Sequence, residues 1–152
     1  MKKLIAVLIL ALIAFVNASY LTYRSYELDK QIQANGKMEA SFCDVSNTLS
    51  CSTVLKNPYA KVFGIPFTTI AMAIYPIIFA IAFLGILGLL KNSFLILTIL
   101  GIGGILFNSY FIYQEFFNIK AFCLLCILCS GIILTIAIIS IFGLYDKKII
   151  KN

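Results

Sequence analysis

The chain has 152 residues, of which 62% are hydrophobic and only 12% charged, and it contains no histidine. Soluble domains are roughly 45–50% apolar and about 25% charged, so this composition excludes an ordinary soluble domain and predicts a protein surrounded by lipid. The absence of histidine removes the commonest metal ligand and general base. The net charge of +6 reflects membrane topology in such a chain and does not indicate a nucleic-acid partner.

Four apolar runs predict four membrane-spanning helices, at about residues 4–22, 64–90, 93–113 and 121–145. About twenty apolar residues are needed for a helix to cross a bilayer, and each run comes near that length or exceeds it. The sequence therefore predicts an all-α membrane protein with a single domain over residues 1–152. In it, a four-helix bundle carries a long loop, residues 23–63, between the first two helices. Gly101, Gly103 and Gly104 in the third run are typical of close helix packing.

The first apolar run allows two interpretations. Lys2 and Lys3 in front of it, and the small residue Ala18 near its end, also fit a cleaved signal peptide. We favour a retained helix, because the run is long for the core of a signal peptide. Both interpretations place the following loop on the same side of the membrane.

The distribution of basic residues predicts the orientation. If the N-terminus lies inside, the short inner segments hold six lysines against one aspartate, whereas the outer segments hold six basic residues against five acidic ones. Basic residues concentrate on the cytoplasmic segments of membrane proteins. We therefore expect a multi-pass protein of the cell inner (cytoplasmic) membrane, with the long loop on the oxidising outer face.

Four cysteines are predicted to meet at that outer face. Cys43 and Cys51 lie in the loop, and Cys123 and Cys126 form a Cys-x-x-Cys pair at the start of the last span. An extended chain covers about 3.3 Å per residue, so the loop is long enough to bring its pair to the end of the bundle. Because two dithiol pairs within reach can exchange electrons through a mixed disulfide, the sequence predicts a redox relay.

The start of a helix suits this chemistry. Its unpaired N–H groups favour a thiolate, and Lys120 would add positive charge near Cys123. Cys126 lies about one turn deeper, nearer the lipid interior. Cys129 lies a further turn down, and we interpret it as a packing residue.

Other interpretations of the cysteines remain open. Buried cysteine is often a small hydrophobic residue, and the loop pair could form a purely structural disulfide. A four-cysteine zinc site usually has two short Cys-x-x-Cys knuckles, which the loop pair does not provide, and we expect no metal. A c-type haem needs a histidine directly after the pair, where Ile127 stands.

A relay needs a terminal electron acceptor, and the sequence has no phosphate-binding loop for a soluble cofactor. We therefore expect a lipid-soluble acceptor, for which a quinone such as ubiquinone or menaquinone fits. Phe63 and Phe111 are among the aromatic residues near the outer half of the bundle, where packing is the commoner role. Asn108 is more informative, because a polar side chain inside a membrane helix is costly without a purpose. A hydrogen bond between helices explains Asn108 equally well.

The cysteine motifs and their surroundings resemble the bacterial branch of the vitamin K epoxide reductase family. The order of the motifs matches as well, with the loop pair first and the Cys-x-x-Cys pair on the last helix. The similarity covers about residues 41–130. The matching segments are Cys43-Asp44-Val45, Cys51-Ser52-Thr53-Val54-Leu55, Tyr59-Ala60-Lys61-Val62-Phe63-Gly64-Ile65-Pro66 and Phe122-Cys123-Leu124-Leu125-Cys126.

The resemblance implies a role for each cysteine of the two pairs. Cys123 and Cys126 would form the active-site disulfide, with Cys126 donating electrons to the quinone. Cys51 would form a transient bridge with Cys123, and Cys43 would pair with Cys51 and exchange with the redox partner. That partner would be a separate thioredoxin-like (DsbA-like) extracytoplasmic protein.

Two positions depart from the family pattern. Asn57 stands where the family usually has a serine near the quinone, and its amide can still donate a hydrogen bond. Ser130 stands where vertebrate relatives have a tyrosine, which argues against vitamin K epoxide as the substrate.

We predict a membrane thiol:quinone oxidoreductase that supports disulfide-bond formation. One alternative uses the same chemistry as a quinone or quinone-epoxide reductase with thiols as the reductant. A second alternative is a non-catalytic membrane module that binds a partner through a disulfide-stapled loop. The predicted catalytic residues are Cys43, Cys51, Cys123 and Cys126. The predicted quinone-binding residues are Asn57, Phe63, Asn108 and Phe111.

Overall fold

The computed structural model describes residues 2–35, 43–46 and 48–150, without the side chains of residues 35 and 147–150. Four helices in this part of the chain are long and apolar enough to cross a membrane. They lie within Lys2–Ala34, Phe67–Ile86, Ser93–Ile119 and Leu124–Asp146. The predicted all-α membrane bundle is therefore confirmed.

Five helices and one short hairpin account for the regular structure of the described residues. In chain order the helices are α1 (Lys2–Asn35), α2 (Cys51–Lys56), α3 (Phe67–Ile86), α4 (Ser93–Gln114) and α5 (Leu124–Ile150). The antiparallel hairpin between α2 and α3 consists of β1 (Lys61–Val62) and β2 (Ile65–Pro66). A 3₁₀ turn, Pro58–Ala60, precedes the hairpin, and a π-helical turn, Glu115–Ile119, extends α4.

α1 is longer than the predicted first span, because the helix continues through the charged segment that follows as far as Asn35. Its buried residues recur at alternating steps of three and four, a spacing that places them in one stripe along the helix. The stripe packs against α3 and α5, and near its C-terminal end against α2. It consists of Leu4, Val7, Ala11, Ala14, Ala18, Leu21, Ser25 and Leu28.

Buried apolar side chains form two clusters. The first, which we call the membrane cluster, joins α1, α3, α4 and α5 and includes Val7, Ile78, Leu97 and Ile136. The second, which we call the thiol cluster, lies where α1, α2, the start of α3, the end of α4 and the start of α5 meet. It contains the cysteines of both predicted pairs, namely Cys43, Cys51, Cys123 and Cys126.

α4 and α5 approach each other closely at two of the three glycines of the third span. A Cβ atom added at Gly101 would lie 2.9 Å from Cβ and 3.0 Å from Cα of Ala137. A Cβ added at Gly104 would lie 2.8 Å from Cγ1 of Ile133, whereas one added at Gly103 would meet nothing within 4 Å. The close packing expected of this run therefore occurs at Gly101 and Gly104.

Gly101→Ala and Gly103→Ala form a matched pair that tests this packing. We expect Gly101→Ala to lower stability by about 1–3 kcal/mol, because the added methyl group meets the backbone of α5. Gly103→Ala adds the same group to an open position and favours the helix, so it should leave stability unchanged or raise it by up to ~1 kcal/mol. Thermal unfolding in detergent, followed by circular dichroism, measures the difference. Equal melting temperatures would contradict close packing at Gly101.

Candidate active site

The first half of the site is a disulfide between Cys43 and Cys51, whose Cα atoms are 5.8 Å apart. This separation lies within the usual range for a disulfide. Cys51 is the first residue of α2 and is completely buried, and Cys43 is nearly so. The bond therefore lies inside the thiol cluster and is shielded from water.

Asp44 fixes the start of α2. Its Oδ1 accepts hydrogen bonds from the hydroxyl of Ser50 at 2.8 Å and from the N–H of Ser52 at 3.0 Å. Its Oδ2 accepts a hydrogen bond from the hydroxyl of Ser52 at 2.6 Å. Ser50 in turn caps the helix, since its hydroxyl accepts the N–H of Thr53 at 3.1 Å. These bonds orient the first turn of α2 and, with it, the sulfur of Cys51.

We expect Asp44→Ala to destabilise the protein by about 1–3 kcal/mol, because it removes the carboxylate that accepts three hydrogen bonds from Ser50 and Ser52. Asp44→Asn keeps one side-chain oxygen as an acceptor, so it should lower stability less than Asp44→Ala does. Amide hydrogen exchange in α2, measured by mass spectrometry in detergent, should rise most in the alanine variant. Unchanged exchange in that variant would show that Asp44 does not hold the helix.

A short parallel β-bridge between Leu49 and Phe122 ties the loop to the segment in front of α5. The N–H of Ser50 donates to the carbonyl of Phe122 at 3.1 Å, and the N–H of Phe122 donates to the carbonyl of Thr48 at 2.8 Å. Cys123 directly follows Phe122 of this bridge, and Cys51 lies two residues after Leu49. The bridge therefore sets one member of each cysteine pair beside the other.

Cys123 and Cys51 are in contact, with their Sγ atoms 3.4 Å apart. Cys123 precedes the first residue of α5, and its sulfur accepts the N–H of Cys126 at 3.3 Å. Its carbonyl accepts the N–H groups of Cys126 and Ile127, both at 3.0 Å. A helix start directed at a sulfur stabilises negative charge on it during exchange. Lys120, which was expected to add positive charge here, is exposed and has a left-handed backbone with φ of 55°.

Glu115 completes the site, although in the sequence it counts only as one of the five acidic residues of the outer segments. Its side chain is 2% exposed, and its Oε2 accepts the N–H of Cys123 at 3.1 Å. The carboxyl group also interacts with the thiol of Cys126. Glu115 begins the π-helical turn at the end of α4, and such turns are frequent at functional sites. The available sequence signal was an acidic residue eight positions before the first cysteine of the pair.

A cavity lies beside Cys126, on the side of the membrane cluster. Its lining is mostly apolar and includes Phe67, Ala71, Phe107, Cys126 and Cys129. Polar groups are contributed by Thr68, Tyr75 and Asn108. The Thr68 hydroxyl is buried and has no hydrogen-bond partner among the described residues. Apolar walls with a few polar groups are typical of small-molecule sites.

The four predicted quinone-binding residues lie in different places. Asn108 lines the cavity, and Phe111 is buried in the thiol cluster, where it stacks on Phe67 with ring centroids 4.4 Å apart. Asn57 caps the 3₁₀ turn, since its side chain accepts the N–H of Tyr59 at 3.1 Å. Phe63 is fully exposed between the two strands of the hairpin. The cavity thus has Asn108 in its wall and Phe111 behind it, while Asn57 and Phe63 are outside its lining.

Cys129 is buried in the membrane cluster. It also has polar partners, because Nδ2 of Asn17 donates to its sulfur at 3.1 Å and to the carbonyl of Leu125 at 2.9 Å. Tyr75 of α3 packs in the same cluster as Cys129. The residue therefore helps to join α1 and α3 to α5.

The described part of the chain has four helices long enough to cross a membrane. It also holds one disulfide and three free thiols, all of them buried. Together these features define a multi-pass membrane protein built around redox-capable cysteines. The sequence matches the profile of the vitamin K epoxide reductase family over residues 5–141, which is most of the chain. The chain therefore belongs to this family of redox enzymes, as the motifs had indicated, and proteins of the family use quinones. No individual curated protein matches the sequence.

Proposed function

We propose that the protein is a membrane thiol:quinone oxidoreductase that takes electrons from a thioredoxin-like partner and passes them through two cysteine pairs to a quinone. The observation that carries the proposal is the distance of 3.4 Å between the Sγ atoms of Cys51 and Cys123, which links the two pairs. In this proposal the thiol cluster lies at the outer face of the cytoplasmic membrane, as the basic residues indicate.

Electrons would arrive at the loop pair. A thiolate of the partner attacks Cys43, and the Cys43–Cys51 bond breaks with its electron pair on Cys51. The second thiol of the partner then attacks the mixed disulfide and releases Cys43. The partner has lost two electrons as its own disulfide forms, and the loop pair has gained them.

The loop pair would then reduce the disulfide of the second pair. Cys51 attacks Cys123, and the Cys123–Cys126 bond breaks with its electron pair on Cys126. Cys43 next attacks Cys51, which restores the loop disulfide and releases Cys123. The arrangement in the structure, with Cys43 bonded to Cys51 and with Cys123 and Cys126 as free thiols, is the one expected after this exchange.

A quinone supplies a lipid-soluble acceptor for two electrons and two protons. Cys126 is the member of its pair that lines the cavity, so it would face the acceptor. Thr68 and Asn108 line the same cavity, and in this proposal the Thr68 hydroxyl and the Asn108 amide would donate hydrogen bonds to the carbonyl oxygens of the acceptor. As Cys126 gives up its electrons, Cys123 bonds to it, so that the pair loses two electrons and two protons together.

The test is thiol-dependent quinol formation by the purified protein in lipid vesicles. We expect dithiothreitol to reduce added short-chain ubiquinone or menaquinone faster with the protein than with empty vesicles. A non-catalytic binding module predicts equal rates, and that result would overturn the proposal. Comparing membranes with and without respiratory reoxidation of quinol distinguishes an oxidase, whose thiol oxidation then slows, from an enzyme whose useful product is the quinol.

A further inference from the structure

We propose that Glu115 is a catalytic proton carrier, which takes the proton of the Cys126 thiol when the Cys123–Cys126 disulfide forms and returns it when that disulfide is opened. The inference rests on the proposed function and adds to it a residue outside the cysteine pairs. It concerns a buried carboxyl group that accepts a hydrogen bond from the backbone of Cys123 and interacts electrostatically with the Cys126 thiol.

The position of Glu115 is unusual for a residue with only a structural task. The side chain is among the most deeply buried large ones in the described chain. The ion pairs among the described residues join Lys3 to Asp146 and Lys61 to Asp29, so neither involves this carboxyl. Burial of an unpaired carboxylate is costly. A glutamine would make the same hydrogen bond to the Cys123 N–H without that cost.

The contacts of Glu115 connect it to the reacting atoms. Its Oε2 accepts the N–H of Cys123 at 3.1 Å, and its carboxyl interacts with the Cys126 thiol. The titratable groups around the Cys126 sulfur are Cys123, Glu115 and Cys129. From α2, Cys51 faces the same pair but is held in a disulfide. Tyr75 lines the same cavity as Cys126, so Glu115 is the carboxyl group, among the described residues, that lies near this buried sulfur.

The proton balance of the two half-reactions follows. When the pair is oxidised, the Glu115 carboxylate takes the Cys126 proton, Cys123 bonds to Cys126, and two electrons pass to the quinone. The two protons that the quinone needs come from the Cys123 thiol and from water. When the loop dithiol reduces the pair, protonated Glu115 returns its proton to Cys126, Cys123 receives one proton from the loop dithiol, and the second loop proton is released to water.

Glu115→Gln tests the proposal, because glutamine keeps an oxygen for the Cys123 N–H but cannot carry the proton. General acid–base catalysis contributes about 10²–10⁴-fold, so we expect the turnover number for quinone reduction to fall by about 100-fold or more with an unchanged KM for quinone. Glu27→Gln removes a carboxylate from α1, outside the site, and should be fully active. The melting temperature of Glu115→Gln should equal or exceed that of the wild type, since the hydrogen bond is kept and the cost of burying a carboxylate is removed.

A second measurement needs no quinone. In equilibrium with dithiothreitol, the wild-type pair should take up one proton for every two electrons near neutral pH, whereas the pair in Glu115→Gln should take up two. Full turnover by Glu115→Gln, or the same proton uptake in both proteins, would overturn the proton-carrier role and leave the proposed function standing. If the wild type itself formed no quinol, the proposed function would fail and the role of Glu115 with it.

Discussion

Cys126→Ser is expected to stop quinone reduction and to leave the protein with Cys51 bonded to Cys123. In this variant Cys123 keeps its contact of 3.4 Å with Cys51 and can attack the loop disulfide, which releases Cys43 as a free thiol. No thiol remains at position 126 to open the new bond from that side, and alkylation of the released Cys43 prevents it from opening the bond from the loop side. We expect turnover to fall by at least ~10³-fold, which corresponds to about 4 kcal/mol in the activation barrier.

The trapped bond is measured by alkylation under mild oxidation, followed by non-reducing digestion and mass spectrometry. A peptide that joins Cys51 to Cys123 should dominate in Cys126→Ser and be a minor species in the wild type. Cys129→Ser is the matched control for trapping, because it removes the neighbouring thiol of α5 but keeps Cys126, so the Cys51–Cys123 peptide should stay a minor species. If no Cys51–Cys123 peptide formed under any redox condition, the relay would be wrong.

Ala71→Leu is expected to block the second half-reaction and leave the first intact. Ala71 lines the cavity beside Cys126, so the larger side chain would occupy the space proposed for the quinone ring. We expect the catalytic efficiency with quinone to fall by about 100-fold, which corresponds to about 2.7 kcal/mol. Ala73→Leu, on the exposed face of the same helix, should change little.

The two half-reactions, disulfide exchange with the loop pair and electron transfer to the quinone, can be measured separately in these variants. Quinol formation reports on the cavity, whereas formation of the Cys51–Cys123 bond in the Cys126→Ser background reports on the loop. Ala71→Leu should change the first and spare the second. Equal quinol formation by Ala71→Leu and Ala73→Leu would show that the acceptor binds elsewhere.

The membrane spans and the grouping of the cysteines could be predicted from the sequence because their signals are local. Runs of about twenty apolar residues predict spans without knowledge of their neighbours. The polar segment that carries Cys43 and Cys51 must then leave the bilayer, and the helix with Cys123 and Cys126 must start on the same side. The structure brings the four cysteines into one cluster, as this reasoning required.

The contacts that align the two pairs could not be predicted, because they depend on the path of the loop in three dimensions. The bridge of Leu49 with Phe122 joins residues that are far apart in the chain and follows no periodic pattern. The burial of Glu115 depends on a π-helical turn, which a count of charges does not reveal. Asp44 was noted only as part of a motif, and its bonds to Ser50 and Ser52 became evident from the coordinates.

The predicted quinone contacts likewise separate into one that a local sequence signal predicted correctly as part of the cavity lining and others that the sequence could not place. Asn108 was singled out by a physical argument, the cost of a polar group within a membrane helix, and it lines the cavity. Asn57 came from the family pattern and Phe63 from aromatic content, and both lie outside the cavity lining. Thr68 gave no sequence signal, because a threonine near the start of an apolar helix is ordinary. Its buried hydroxyl becomes notable only when its surroundings are known.

The length of α1 has a consequence for any soluble protein that approaches the loop. A helix of 34 residues is about 51 Å long, whereas the hydrocarbon layer of a bilayer is about 30 Å thick. Roughly 20 Å of α1 therefore projects beyond the hydrocarbon, and the ion pair of 2.8 Å between Asp29 and Lys61 ties the hairpin to this part of the helix. Leu28 of this segment packs in the same cluster as Cys43 and Cys51, so the end of α1 covers one flank of the loop disulfide.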